Sequence, residues 1–196
     1  MPNKRLFLCN MLKSKIILLF IAAACSFAAC KTEPAYDPAT QAAIDDGLIK
    51  QFIADSNIVA TRLPSGLYYK VIKQGDGSGE IKYDDTDTIM MRYVGKRIPP
   101  NSDFVYDSTQ VVVDSLAPRF IYNTAIIAWQ EGLKYIRPGG TIRLIVPSTL
   151  AYQNRVVSAF PGPNNIARFL PANSILDFSI KLIKIKKYVP PKTTGQ

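Results

Sequence analysis

Between Ala125 and Gly140 the chain reads AIIAWQEGLKYIRPGG, and this stretch limits the possible folds more than any other. Ile126, Trp129, Leu133 and Ile136 recur at spacings of three, four and three, one apolar stripe of a helix, with Gln130, Glu131 and Lys134 on the other side. Pro138, Gly139 and Gly140 end the helix. A helix this short has to be covered by other elements, so its stripe predicts a sheet laid against it. Trp129, the only tryptophan, has two readings: a core anchor, or the floor of a ligand pocket.

The sheet is legible on both sides of that helix. Leu67, Tyr69 and Val71 alternate with Tyr68, Lys70 and Ile72, between the turn signals PSG and QGDGSG. Further strand candidates are Thr88 to Lys96, Asp103 to Asp107, Val111 to Asp114, Thr141 to Val146 and the closing ILDFSIKLIKIK. In that last run Leu176, Phe178, Ile180 and Leu182 share a face, and the alternation then slips by one at Ile183 and Ile185, which predicts a bulge or a change of buried face. The lysines from Lys181 to Lys187 read as the solvated face of an edge strand sooner than as an anionic-lipid contact. The fold class is α+β, an antiparallel sheet with one short helix, the Trp129 helix, laid across it. An N-terminal helical segment precedes it over 38–63. Asp37 and Pro38 open that helix, and Ile44, Leu48, Phe52, Ile49 and Ile53 form its stripe, which has to meet either the main domain or a partner subunit.

The first thirty residues carry Lys4, Arg5, Lys13 and Lys15 ahead of a short apolar run, the pattern of a secretory signal. The run ends in FAAC, Phe27 to Cys30, which resembles the lipobox of bacterial lipoproteins and implies lipidation at Cys30, with Cys25 as a weaker alternative site. Met11 is a second candidate start. Residues 31–37 read as a tether, 64–187 as the main domain and 188–196 as a tail. All three cysteines fall in the leader and the chain has no histidine, so the mature domain offers no disulfide, no thiolate nucleophile and no Cys- or His-based metal site. Loss of the leader lowers the formal charge from +9 to +5, too mild an excess to point to nucleic acid.

Seven short pieces then occur in order: YVG from Tyr93, YDS from Tyr106, AIIAWQEGL from Ala125, PGGT from Pro138, LAY from Leu150, LPAN from Leu170 and LDF from Leu176. Together they resemble the FKBP-type peptidyl-prolyl cis-trans isomerase domain over roughly Gly66 to Lys186. The resemblance implies an antiparallel sheet of five to six strands curled around the Trp129 helix, with a proline-binding pocket between them, catalytic residues Asp107, Tyr152 and Tyr106 and substrate-binding residues Tyr93, Ala125, Ile126, Trp129, Leu170 and Phe178. It implies no cofactor and no metal. Trp129 would be the floor, Asp107 a largely buried carboxylate near the twisting amide, and Tyr152 and the Ile126 N–H donors to substrate carbonyls. Its partners would be proline-containing polypeptides, the membrane through the anchor at Cys30, and a second copy through the N-terminal helix. The implied place is the bacterial cell envelope, periplasm-facing, at the outer membrane sooner than the inner.

The chemistry suits such a chain. Rotation about an X-Pro bond crosses a barrier of ~20 kcal/mol without breaking a covalent bond or moving a proton. A dry aromatic pocket favours the twisted, less polar amide, and fixed donors orient its carbonyl. A 10⁴-fold acceleration asks for roughly 5–6 kcal/mol from these terms together. The sequence departs from the family at Tyr106, where phenylalanine is usual, at Ala125, where an aliphatic is, at Ala128 and Gln153, where glycine is, and near Pro118. The loop between Tyr152 and Leu170 is also longer than in minimal members. These changes leave a weakly active or inactive chaperone or binding module of the same fold as the alternative.

Overall fold

The computed structural model describes residues 35–77, 81–98, 105–109, 113–159 and 168–190. The leader with Cys30, the start of the tether, the tip of the long loop and the tail beyond residue 190 lie outside the described residues.

Helix α1 (Pro38–Asp55) opens where expected: Asp37 caps it, its carboxylate accepting from the Ala39 and Thr40 N–H groups, with Pro38 at the first turn. The strands are β1 (Thr61–Arg62), β2 (Tyr68–Lys73), β3 (Thr88–Arg97), β4 (Val105–Ser108), β5 (Arg119–Ile121), β6 (Thr141–Val146), β7 (Val157–Ala159), β8 (Arg168–Leu170) and β9 (Leu176–Lys186). Helix α2 (Ile127–Gly132) continues into a 3-10 turn, Leu133–Tyr135. The main antiparallel sheet runs β1-β2-β6-β9-β3-β4, with β5 also on β3, and β7 and β8 form a separate hairpin. It has seven strands, the extra ones being short, since β1 holds two residues and β5 three.

Two expectations change. The last strand is not an edge: β9 lies between β6 and β3 at the centre of the sheet. Lys181 lies on its outer face and pairs with Asp114, while Lys187 just beyond it pairs with Asp84 and the buried Asp87. The 111–114 candidate also differs, because Asp114 begins a 3-10 turn, Asp114–Leu116, and residues 111 and 112 lie outside the described set. The slip in β9 is a bulge. Met90 pairs with Lys184 and Met91 with Leu182, which leaves Ile183 as the extra residue.

Alternation along the strands divides two cores. Leu67, Ile142, Leu144, Val146, Phe178 and Ile180 face α2, where Ala128, Trp129, Leu133 and Ile136 complete the larger core. Tyr68 and Ile145 point the other way and meet Ile49 of α1, with Ile98 and Ile175. Helix α1 therefore docks on the body through Ile49, Phe52 and Ile53, while Ile44 and Leu48 stay exposed.

Gly132 sets how closely α2 approaches the sheet, since a Cβ there would lie 2.6 Å from Leu144 Cδ2. A Gly132→Ala variant should lose about 1–3 kcal/mol of stability, read as a lower urea midpoint.

A polar clamp holds the other helix. Asp46 of α1 accepts from Arg62 Nε at 2.6 Å and the Tyr68 hydroxyl at 2.9 Å, and pairs with Lys50 at 2.7 Å. Lys50 first, with Arg62 and Tyr68 adding and burial opposing, brings the Asp46 carboxyl down to about 2. Because this folded-state value lies below the ordinary carboxylate value of about 3.9, the stabilisation is complete above that pH and is lost as pH falls through the folded value. Amide exchange along α1 should accelerate as pH drops from about 4 to 2 relative to the rest of the body, and Asp46→Asn should remove that dependence.

Candidate functional site

The site forms where three strands and the start of α2 meet. Tyr93 comes from β3, Tyr106 and Asp107 from β4, Phe178 from β9 and Trp129 from α2. Gly95 lets them converge: it pairs across the strands with Asp107 on one side and Phe178 on the other. A Cβ there would stand 2.6 Å from the Tyr106 ring and 2.7 Å from the Phe178 ring.

Trp129 is at the centre. Its ring meets Tyr93 edge-on at 4.8 Å, Phe178 at 5.1 Å and Phe120 at 5.7 Å between centroids. Tyr106 continues the wall, 5.9 Å from Phe178, and Tyr152 packs against Tyr106 at 6.2 Å. These edge-to-face contacts each add about 0.5–1.5 kcal/mol beyond buried area, so the wall is stiff. Trp129 is 6% exposed, and Phe178 and Leu170 are fully buried. Ala125 and Ile126 precede α2 and pack half-buried against this core. Ile126 accepts at its carbonyl from the N–H groups of Trp129 and Gln130, and among the described residues its own N–H meets no acceptor.

The polar groups lie along the wall. The Tyr93 hydroxyl donates to Asp107 Oδ2 at 2.6 Å, and the Tyr106 and Tyr152 hydroxyls lie 3.3 Å apart. Burial first, then Asp107, pushes the Tyr93 phenol above its ordinary range; burial and then Tyr152 do the same for Tyr106. Both therefore stay protonated through neutral pH. Asp107 is half-buried, more accessible than the resemblance implied.

All nine expected pocket residues thus fall in one region. Tyr93, Tyr106, Trp129, Tyr152 and Phe178 are joined by direct ring contacts, and Leu170, Ala125 and Ile126 pack on the same core. Sequence reasoning missed Phe120. Its signal was an aromatic in β5, two residues after Pro118, in a stretch too short to show alternation.

A cavity of about 270 Å³ opens on the outer face of the sheet among Arg92, Tyr93, Val94, Thr109, Thr141, Ser179 and Lys181. Asp114 already bridges its two cations, at 3.2 Å from Arg92 and 2.6 Å from Lys181, so the aromatic region is the candidate site.

Residues 79–183 match the family model described as FKBP-type peptidyl-prolyl cis-trans isomerase. The chain is 37% identical over 126 residues to the FKBP-type peptidyl-prolyl cis-trans isomerase FkpA of Buchnera aphidicola subsp. Schizaphis graminum, covering 64% of this chain and 43% of that protein. It is 33% identical over 122 residues to FkpA of Escherichia coli K12, covering 62% and 38%, and 34% identical over 125 residues to the outer membrane protein MIP of Legionella longbeachae, covering 64% and 46%. The matches thus span about two fifths of the length of these relatives. The crystal structure of Escherichia coli FkpA superposes with a TM-score of 0.54 at 26% identity, over 88% of this chain and 71% of that one. A Pseudomonas syringae peptidyl-prolyl cis-trans isomerase, at 20% identity and TM-score 0.52 over 79% and 100%, shares the fold.

Proposed function

The chain belongs to the family of FKBP-type peptidyl-prolyl cis-trans isomerases, and we propose that it rotates X-Pro peptide bonds and so assists the folding of exported proteins. The observation that carries this reading is the aromatic wall around Trp129 with the Tyr93–Asp107 hydrogen bond beside it.

In this reading the proline ring lies on Trp129, between Tyr93, Tyr106 and Phe178. The Ile126 N–H and the Tyr152 hydroxyl take substrate carbonyls. Asp107, oriented by Tyr93, stands beside the amide as it twists. As resonance is lost the nitrogen becomes pyramidal and the amide less polar, and an apolar wall favours that state over the planar one. The residues move no proton and form no bond. They select a geometry.

The boundaries 31–37, 38–63, 64–187 and 188–196 are part of the same proposal, as is export with lipidation at Cys30. The FAAC sequence supports the anchor, and the relative named as an outer membrane protein supports an envelope location facing the periplasm. Labelled palmitate should enter the wild-type protein and not Cys30→Ala. Homo-oligomerisation through α1 would use Ile44 and Leu48, its exposed apolar positions, since Ile49 is taken by the body.

One observation favours the weakly active alternative: Tyr106 gives the Tyr152 hydroxyl a resident partner that a substrate has to displace. Isomerisation of a panel of X-Pro peptides tests both readings. The enzyme reading expects catalysis by the wild-type chain and a loss of about tenfold in Tyr152→Phe. The alternative expects little wild-type activity and a gain in Tyr106→Phe.

A further inference from the structure

We propose that Asp45, on the N-terminal helix α1, is a positioning residue for Tyr152. The inference rests on the isomerase reading, in which the Tyr152 hydroxyl meets a substrate carbonyl. Asp45 is fully buried, although Ile44 beside it is exposed. Its Oδ2 accepts from both the N–H and the hydroxyl of Ser148, each at 2.7 Å, and its Oδ1 accepts from Gln41 Nε2 at 2.8 Å. Among the described residues no lysine or arginine pairs with it. A buried carboxylate without a cation costs more than an apolar side chain of its size, so packing alone does not account for this residue.

What the carboxylate holds is the root of the Tyr152 turn. Ser148 is itself fully buried and opens the 3-10 turn Ser148–Leu150. Its carbonyl accepts from the Ala151 N–H at 3.0 Å and the Gln153 N–H at 2.8 Å, the residues on either side of Tyr152. Gln153 lies at φ 55°, a left-handed conformation that a non-glycine residue holds only when its surroundings fix it, and its carbonyl accepts from the Asn173 N–H at 2.8 Å. Asp45 thus grips both donors of Ser148, while the acceptor of the same residue fixes the backbone that carries the tyrosine. A displacement of about 1 Å at such a group costs up to a hundredfold in rate, and α1 supplies the restraint from outside the sheet.

The test uses the full chain, with X-Pro peptide isomerisation and amide exchange at Ala151 and Gln153. Asp45→Ala should lower kcat/KM about tenfold, mostly in kcat, while Asp45→Asn, which keeps an acceptor oxygen for Ser148, should retain most of the activity. Where Asp45→Ala does not fold, Ser148→Ala takes its place, since it removes only the hydroxyl. In a Tyr152→Phe background the same substitutions should cost nothing further, and in the Tyr152 background exchange at both amides should quicken. Equal losses with and without the Tyr152 hydroxyl, or unchanged exchange, would overturn the assignment. If the unsubstituted chain speeds no X-Pro rotation, the isomerase reading falls, and the exchange rates alone still decide whether Asp45 governs the turn.

Discussion

Gly95→Ala should unfold about 3–10 °C below the parent chain and lose most isomerase activity. The residue lies within β3, and its special property is the missing side chain. An added Cβ would stand 2.6 Å from Tyr106 and 2.7 Å from Phe178, and both rings are almost fully buried. Neither can swing aside, because Phe178 rests on Trp129 and Tyr106 on Tyr152. The methyl therefore has to push β3 from its neighbours or force the rings off their rotamers, at about 1–3 kcal/mol. Calorimetry reads the first consequence and an X-Pro peptide assay the second. A variant of unchanged stability and activity would show that the wall is softer than its geometry indicates.

Trp129→Leu should cost about 2–3 kcal/mol of stability and also lower kcat/KM about a hundredfold. The two losses have different origins. The stability loss follows from the edge contacts with Tyr93, Phe178 and Phe120, which leucine cannot reproduce. The activity loss follows from removing the surface on which the proline ring would lie. Urea midpoints and peptide kinetics on the same preparation separate them. Lost stability with unchanged kinetics would leave Trp129 as a core anchor alone.

Much of this was legible in the sequence because it is local. The Trp129 helix, the strands β6 and β9 and the Asp37-Pro38 start of α1 follow from periodicity, strand signals and capping, but the helix ends before Pro138: α2 stops at Gly132, a 3-10 turn runs to Tyr135, and Ile136 is already extended. The slip at Ile183 marked a bulge whose partners, Met90 and Met91, only the sheet reveals. The position of β9 was not legible, because lysines alternating with apolar residues look alike on an edge strand and on a central strand with one face in water. Tyr68 and Asp45 were hidden for another reason. One reads as the outward residue of a strand and the other as a solvated helix charge, until α1 lies across the sheet and buries both. The Tyr93–Asp107 bond joins residues fourteen apart on paired strands, so the ordered motifs named both without showing that they touch.

The central claim is catalysis of X-Pro rotation at the Trp129 wall, with Asp107 beside the twisting amide. Its most direct test is the slow, proline-limited refolding phase of an unrelated protein, followed with and without catalytic amounts of this chain. The expected result is a slow phase that shortens in proportion to the wild-type chain added and shortens far less with Asp107→Ala. A slow phase unchanged at every concentration, whatever residue precedes the proline, would contradict it.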